Sequence, residues 1–202
     1  NKRIPLGAGY GGGSSNAVTA LKAVLSISRI QLSDEKLVKI VSKVGSDCSF
    51  FINPVPSIMY GKGEKIKPIS KELRKHISSK KVVIFKPQLS ISTKSAYQML
   101  NKDYFINEKT FNDLLENFSE SLNFEKLLFN SFSKPIGTKY LNLNCLISDL
   151  NKHGIPTLLS GSGSGSFSLL VNESIDNPEI FIKEKVTNAF GADAFFCKAN
   201  IL

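Results

Sequence analysis

The chain is poor in side chains that bind transition metals: its 202 residues include three cysteines and two histidines. Cys48, Cys145 and Cys197 lie far apart, and no Cys-x-x-Cys pair occurs. Neither His76 nor His153 forms a ligand motif with them. This spacing argues against structural zinc and against a disulfide scaffold. Three separate thiols instead favour a reducing compartment, and we expect a cytoplasmic, bacterial-type protein.

Long apolar runs and an amino-terminal targeting signal are also missing. No run of 18 residues is apolar, so we expect no membrane span, and no signal peptide begins at Asn1. The first residue is not methionine, and a glycine-rich segment follows almost at once. Such a segment normally follows strands that position it. We therefore expect an amino-terminally incomplete chain, whose missing part would include any targeting peptide, such as a plastid one.

Acidic residues are scarce relative to basic ones, which gives a net charge of +9. A basic surface can bind nucleic acid, so a nucleotide-binding or RNA-binding module without catalysis is one candidate. The lysines between positions 36 and 71 are scattered, however, and do not alternate with aromatic residues. That pattern favours solvated faces, and we expect no nucleic-acid partner. The oligomeric state stays open.

Glycine is concentrated at the start of the chain, where five of the seven residues from Gly7 to Gly13 are glycine. Their backbone N–H groups can approach an anion closely, and the helix predicted next would point its positive end at the same place. Ser14, Ser15 or Asn16 could cap that helix. Its predicted apolar stripe comprises Ala17, Ala20, Leu21, Val24 and Leu25. The layout favours polyphosphate binding over a plain flexible turn.

Two common phosphate motifs do not fit this segment. A Walker-A loop requires Gly-Lys-Ser/Thr at its end, and no lysine follows these glycines. The dinucleotide fingerprint has fewer glycines, follows a strand and requires a later acidic residue. A different nucleotide-binding family is therefore indicated.

Residues 5–16 read Pro-x-Gly-x-Gly-x-Gly-Gly-Gly-Ser-Ser-Asn, which resembles the ATP loop of the GHMP kinases. Within that superfamily, the extra glycines and Asn16 are most similar to the kinases of 4-diphosphocytidyl-2-C-methyl-D-erythritol. Three further segments resemble the same kinases in the same order: 45–51, 90–97 and 159–164. The resemblance covers essentially the whole chain.

The resemblance implies an α+β, two-domain GHMP kinase fold. Residues 1–80 would be the remainder of a ribosomal-S5-like, ATP-binding domain, and residues 81–202 a ferredoxin-like domain. The implied activity is transfer of the γ-phosphate of ATP, with Mg²⁺, to the 2-hydroxyl of 4-diphosphocytidyl-2-C-methyl-D-erythritol in the non-mevalonate isoprenoid pathway. The family's catalytic lysine lies near the start of the full-length protein, so we expect this chain alone to be inactive. A homoserine or mevalonate kinase is the alternative within the superfamily.

Asp47 is the candidate catalytic base. It lies two residues after Gly45, a predicted helix stop, and we expect it to be partly buried. From position alone, a carboxylate that caps the next element is the more common case. The resemblance reverses that order, because Asp47 matches the aspartate of the family's Gly-Ala-Asp segment. The family reads Val-Pro where this chain has Cys48-Ser49, and proline fixes φ whereas serine does not.

The resemblance also implies the remaining contacts. Thr93 and Tyr97, one helical turn apart, would hold the cytosine, although Tyr97 could equally pack in the core. The run 160–166 alternates serine and glycine like a linker, but strand-like segments flank it, so we expect a tight loop. Its N–H groups would face the substrate at Gly161 and Gly163. The predicted contacts are, for ATP, Pro5, Leu6, Gly7, Ala8, Gly9, Tyr10, Gly11, Gly12, Gly13, Ser14 and Ser15, and, for the substrate, Asn16, Thr93, Tyr97, Gly161 and Gly163.

One further segment departs from the family pattern. The kinases usually read Phe-Asn-Asp-Leu-Glu where this chain has Phe129-Asn130-Ser131-Phe132-Ser133, so only the asparagine matches among the polar positions. We predict no metal cluster. Periodicity predicts helices at 34–44, 93–100, 138–153 and 178–190, and strands at 50–52, 57–60, 81–86, 167–171 and 194–199.

Overall fold

The computed structural model describes residues 1–61, 63, 65–78, 80–171 and 174–201. These residues form two compact units. The large unit contains residues 1–10 and 75–201, and the small unit contains residues 11–74. The sequence-based division into 1–80 and 81–202 stays a prediction.

Helices and strands alternate through most of the chain. The α-helices are α1 (Gly12–Ile27), α2 (Asp34–Val41), α3 (Lys71–Ile77), α4 (Thr93–Gln98), α5 (Glu108–Ser121), α6 (Ser133–Lys139), α7 (Leu141–Lys152) and α8 (Pro178–Phe190). The strands are β1 (Ser57–Tyr60), β2 (Lys65–Pro68), β3 (Lys81–Lys86), β4 (Thr157–Leu159), β5 (Ser166–Leu169) and β6 (Phe195–Asn200). Three short 3-10 helices span Ser46–Ile52, Lys102–Tyr104 and Phe124–Leu127. None of the described helices is long and apolar enough to cross a membrane.

The large unit is built on an antiparallel sheet with the strand order β4-β5-β3-β6. In the register of the sheet, Phe85 of β3 lies opposite Ser166 of β5 and Phe196 of β6. Along the chain, helices separate β3 from β4, and α8 separates β5 from β6. This β-α-β-β-α-β order is the ferredoxin-like arrangement that the resemblance implied, and the α+β class is confirmed.

Two apolar clusters support this sheet. In the first, Val83 and Phe85 lie two positions apart in β3 and so point to the same face of the sheet. Helices α7 and α8 each contribute two residues that lie four positions apart. Its buried members are Val83, Phe85, Leu146, Leu150, Ile155, Ile182 and Val186. The second cluster contains Ile91, Ala96, Ile136, Leu143 and Leu159. Ile91 precedes α4 and Leu159 ends β4. This second cluster therefore packs under both α4 and the loop after β4.

The small unit has a smaller core, formed by Val18 of α1, Val41 of α2 and Cys48. Ser33 caps the amino terminus of α2 by accepting a hydrogen bond from the N–H of Lys36. The strand predicted at 50–52 is wrong, because residues 46–52 form a 3-10 helix. Cys48 and Ser49 are both buried, and neighbouring residues of a strand would point to opposite faces.

Two predicted ends of helices are also wrong. Helix α1 begins at Gly12 with Gly11 as its cap, not at Ser14–Asn16, because Gly11 adopts a φ of 65° that turns the chain early. Helix α2 ends at Val41, and Gly45 has an extended φ of −176° instead of a left-handed one. The N–H of Gly45 still reaches back to the carbonyl of Val41, at 3.2 Å.

The apolar stripe predicted for α1 is rotated by about one residue. Val18, which lies outside the predicted stripe, is buried, whereas Val24 is 58% exposed. The helix predicted over 138–153 is divided into α6 and α7 at Tyr140, whose φ of −115° and ψ of 73° leave the helical region.

Candidate active site

The first half of the glycine-rich segment lies in the large unit, in direct backbone contact with the loop after β4. A Cβ added at Gly9 would lie 2.0 Å from the carbonyl oxygen of Ser160. The Ser160 hydroxyl donates a hydrogen bond to the carbonyl of Gly9, at 3.0 Å. Gly9 also has a φ of 76°, so both its conformation and its close approach require glycine.

The second glycine segment makes a matching contact at Gly165. A Cβ there would lie 2.1 Å from the Ala8 carbonyl oxygen and 2.6 Å from Cζ of Tyr10. Residues 7–10 and 160–165 are therefore packed backbone against backbone, although some 150 positions separate them. We call this pair of segments the double loop.

Tyr10 fixes the double loop to the sheet. Its hydroxyl lies 2.7 Å from the carbonyl oxygens of both Phe85 and Ser166, which are register partners on β3 and β5. The single hydroxyl proton is shared between these two acceptors. Burial raises the pKa of Tyr10 far above its ordinary value, so the phenol is neutral at physiological pH. The predicted contact with ATP at this position would have to come from the Tyr10 backbone.

The second half of the glycine-rich segment forms the amino terminus of α1 in the small unit. The N–H groups of Gly12, Gly13 and Ser14 donate to no group in the described part of the chain. A Cβ on Gly13 would meet nothing within 4 Å, and the first turn contains no acidic residue. Free N–H groups and the helix dipole together suit an anion such as a phosphate.

Asp47 lies in the first turn of the 3-10 helix 46–52, and its side chain is exposed. The prediction that it is partly buried is wrong, because the neighbouring Cys48 and Ser49 point into the core instead. Oδ1 of Asp47 accepts a hydrogen bond from the hydroxyl of Ser46, at 3.2 Å. Buried neighbours thus fix the backbone while the carboxylate stays accessible to a substrate.

Ser49, which stands where the family has proline, is anchored in another way. It is 2% exposed, and its hydroxyl lies 3.2 Å from the hydroxyl of Ser42, the carboxyl-terminal cap of α2. A hydrogen bond between side chains therefore holds this turn in place of a fixed φ.

Helix α4 presents Thr93 and Tyr97 on its exposed side. The Thr93 hydroxyl lies 3.4 Å from the hydroxyl of Ser162, so the structure brings α4 and the second glycine segment together. Tyr97 is 62% exposed and packs its ring edge-to-face on Phe132, with centroids 5.1 Å apart. The alternative that Tyr97 lies in the core is wrong, and its contact with cytosine stays a prediction.

The run of serine and glycine after β4 is a closed turn and not a linker. The N–H of Ser160 donates to the carbonyl of Gly165, and that of Gly163 to the carbonyl of Ser160, both at 2.9 Å. The N–H of Gly163 is therefore occupied within the loop, contrary to the expectation that it faces a substrate. The substrate contact of Gly161, which has a φ of 53°, stays a prediction.

Asn130 braces this turn, a role that the sequence did not reveal. Its Nδ2 donates to the carbonyls of Leu159 and Gly161, at 2.8 and 2.9 Å, and its Oδ1 accepts from the N–H of Phe132. The signal was available, because Asn130 is the position that matches the family in a segment whose acidic residues are replaced by Ser131 and Ser133. The hydroxyl of Ser133 is buried and finds no partner among the described residues.

The comparisons with known proteins agree with this geometry. The sequence model of the GHMP kinases N terminal domain matches residues 1–61. A protein of Fervidobacterium nodosum named 4-diphosphocytidyl-2-C-methyl-D-erythritol kinase is 37% identical over 171 residues, which cover 83% of this chain and 60% of the relative. A protein of Bacteroides fragilis with the same name is 31% identical over 198 residues, or 97% of this chain and 65% of the relative. The chain is therefore similar in sequence to the GHMP kinases: residues 1–61 match their amino-terminal family model, and most of the chain aligns with the two named relatives.

A solved structure with a similar name also matches the chain. The crystal structure of a 4-(cytidine 5'-diphospho)-2C-methyl-D-erythritol kinase matches it with a TM-score of 0.74 at 25% identity. The match covers 98% of this chain and 68% of the crystallised one. The chain spans 60% to 65% of the length of the two curated relatives.

Proposed function

We propose that this chain carries the nucleotide loop and the base of an ATP-dependent kinase, which phosphorylates the 2-hydroxyl of 4-diphosphocytidyl-2-C-methyl-D-erythritol. The observation that carries the proposal is the amino terminus of α1, where three backbone N–H groups are free and a Cβ on Gly13 would meet nothing within 4 Å. The names of the two relatives and of the solved structure supply the acceptor.

In the proposed reaction, the ATP phosphates bind along residues 5–15 and end at the α1 amino terminus. Donors fixed before the reaction stabilise the developing charge without further reorganisation. No group of three His, Cys, Asp or Glu side chains is assembled among the described residues. Mg²⁺ would therefore be held mainly by phosphate oxygens and water, and it would neutralise negative charge on the phosphates.

Asp47 would accept the proton of the 2-hydroxyl. As that proton moves to the carboxylate, the hydroxyl oxygen forms a bond to the γ-phosphorus, the bond from that phosphorus to the β,γ-bridging oxygen breaks, and ADP leaves. The exposed position of Asp47 supports this role, since among the described residues its carboxylate accepts a side-chain hydrogen bond only from the hydroxyl of Ser46. A neutral side chain of the same shape could not take the proton.

The cytidine end of the acceptor would lie at α4. Tyr97 supports this assignment, because 62% of the residue is exposed beyond its edge-to-face contact with Phe132. An exposed aromatic ring can stack on a base, and the hydroxyl of Thr93 on the same side can hydrogen-bond it. Gly161 and Asn16 complete the proposed acceptor contacts.

Substitution of the base tests the proposal in the protein encoded by the complete reading frame. We expect Asp47→Asn to lower kcat by about 10²–10⁴-fold, the usual contribution of a general base, while binding of ATP is retained. Asp34→Asn is the matched control, because Asp34 is also an exposed aspartate at the start of a helix in the small unit. Full turnover by Asp47→Asn would remove the proposed base, whereas equal losses in both variants would indicate a general effect of charge.

A further inference from the structure

Lys86, at the end of β3, is an unusual buried cation. It follows the apolar residues 82–85 of the strand and is only 7% exposed. Lysine is almost never this deeply buried unless it is paired with an acid. In the described part of the chain no carboxylate forms an ion pair with Lys86. The sequence signal is a single lysine that closes an otherwise apolar strand directly before Pro87.

Two backbone carbonyls compensate the Lys86 ammonium in place of an acid. Nζ donates to the carbonyl of Pro87 at 3.1 Å and to that of Leu89 at 3.0 Å. Burial of a charge is costly unless its hydrogen bonds are made, and hydrogen bonds from a charged donor are stronger than neutral ones. One ammonium group can serve both carbonyls at once because it has three N–H donors.

The two carbonyls belong to the connection between β3 and α4, residues 87–92. Lys86 therefore folds the start of this connection back onto the end of the strand. The Leu89 carbonyl also accepts a hydrogen bond from the hydroxyl of Ser164, a fully buried residue of the double loop. Lys86 and Ser164 thus donate to the same carbonyl oxygen, that of Leu89, which links the connection to the double loop.

The far end of the connection is fixed to the same loop. Ser92 caps α4 by accepting a hydrogen bond from the N–H of Ser95, and Thr93 follows with its hydroxyl 3.4 Å from that of Ser162. The connection is therefore held at Leu89 and again at the start of α4. Loss of the Lys86 contacts would free its first residues and leave the cap in place.

We propose that Lys86 is a positioning residue, whose buried ammonium sets the place of α4 relative to the double loop and so shapes the acceptor site. The inference rests on the proposed function, because Thr93 and Tyr97 of α4 are assigned there to the cytidine end of the acceptor. Lys86 does not itself touch the reacting atoms. Its effect reaches the substrate through residues 87–93.

Amide hydrogen exchange tests the structural part without any need for turnover. In Lys86→Met, which keeps an unbranched side chain of nearly the same length and removes the charge, we expect faster exchange in residues 88–98 and 160–166. Lys81→Met is the matched control, because Lys81 is an exposed lysine at the other end of β3, and it should leave both segments unchanged. Equal exchange in the two variants would overturn the proposal.

Steady-state kinetics of the protein encoded by the complete reading frame then test whether Lys86 affects binding of the phosphoryl acceptor. We expect the KM for 4-diphosphocytidyl-2-C-methyl-D-erythritol to rise about tenfold in Lys86→Met, as for the loss of a hydrogen bond from a charged donor, while the KM for ATP stays constant. A merely structural lysine would lower Tm and leave the acceptor KM as it is, and that result would overturn the positioning role.

Ser164→Ala tests the same Leu89 carbonyl without a change of charge. It removes the other hydrogen-bond donor to the Leu89 carbonyl. We therefore expect the KM for 4-diphosphocytidyl-2-C-methyl-D-erythritol to rise, but by less than in Lys86→Met. If Lys86→Met fails to fold, this variant carries the test, and an unchanged acceptor KM in it would contradict the inference. Absence of turnover in the unmodified protein would instead refute the proposed function, and hydrogen exchange would still decide the role of Lys86 in placing α4.

Discussion

The large and the small unit carry their glycine-rich elements on cores of very different size. In the large unit, two clusters of buried apolar residues lie around the sheet and under the loop after β4. In the small unit, the buried core consists of Val18, Val41 and Cys48. Several large apolar side chains of the small unit are at least 40% exposed: Val24, Ile27, Ile30, Ile40 and Val44.

Tertiary packing fixes the candidate site residues of the large unit, whereas local backbone conformation fixes those of the small unit. In the large unit, Gly9 and Gly165 are placed by close contacts that allow no Cβ. In the small unit, the amino terminus of α1 depends on the conformation of Gly11, and Asp47 depends on two buried neighbours. We therefore expect substitutions in the large unit to affect stability more than similar ones in the small unit.

The largest effect on stability is expected for Phe85→Ala in the large unit. Phe85 is fully buried in the first cluster, and loss of a buried phenylalanine costs about 3–5 kcal/mol of unfolding free energy. Urea unfolding monitored by hydrogen exchange within residues 75–201 measures this loss. A loss below 1 kcal/mol would contradict the assignment of Phe85 to the core.

Gly165→Ala tests the backbone contact of the double loop. The new Cβ would lie 2.1 Å from the carbonyl oxygen of Ala8, and forcing the two segments apart should cost about 1–3 kcal/mol. Gly13→Ala in the small unit is the comparison, since its Cβ meets nothing within 4 Å and alanine favours a helix by about 0.5–1 kcal/mol. Thermal melting should therefore move in opposite directions, and equal shifts would refute the close contact.

Val41→Ala tests the small core. The change removes two methyl groups from a residue that is 2% exposed, which corresponds to about 1.6 kcal/mol at about 0.8 kcal/mol for each buried CH₂. Val44→Ala, at a residue 67% exposed, should cost far less. Hydrogen exchange in residues 11–61 provides the measurement. Equal losses in both variants would show that the described core does not stabilise this unit.

Tyr10→Phe removes the hydroxyl that joins the double loop to β3 and β5. We expect a loss of about 1 kcal/mol at neutral pH, the net worth of a hydrogen bond. Because burial raises the pKa of Tyr10 in the folded state, its contribution is complete below the ordinary tyrosine pKa of about 10 and is lost as the pH rises further. Melting curves between pH 7 and 11 should show the advantage of tyrosine shrinking. A constant difference would contradict the buried phenol.

Asp149→Asn should have the smallest effect. The hydrogen bond from Lys185, at 2.8 Å, lowers the pKa of Asp149, with Coulombic help from Lys185, His153 and Lys152. A lowered pKa stabilises the fold above the ordinary aspartate value and ceases to do so as the pH falls through the lowered value. The difference in Tm between the two proteins should therefore be largest near neutral pH, decline in acid and shrink in high salt. A difference that grows in acid would contradict this ion pair.

Much of the large unit could be predicted because its pattern and its packing agree. The strand 81–86 and the helix 178–190 have the predicted bounds, since an alternating or helical apolar pattern faces a large core. In the small unit the same reasoning misplaced the α1 cap, the α1 stripe and the segment 50–52. There, few buried residues constrain the elements, and glycine conformation decides where α1 begins.

The sequence motifs predicted which residues belong to the candidate site, but not which of them are in contact. The glycine pattern and Asp47 were available from the sequence, whereas the contact between Gly9 and Ser160 joins residues 151 positions apart. No local pattern reveals such a pairing. The burial of Lys86 and the brace formed by Asn130 likewise depend on tertiary contacts.

Release of ADP by the protein encoded by the complete reading frame tests the proposed kinase activity directly. Mg-ATP would be supplied with each of three acceptors: 4-diphosphocytidyl-2-C-methyl-D-erythritol, homoserine and mevalonate. We expect turnover with the first acceptor alone. Turnover with homoserine or mevalonate instead would contradict the assignment of Thr93 and Tyr97 to a cytidine site, and absence of turnover with all three would contradict the kinase itself.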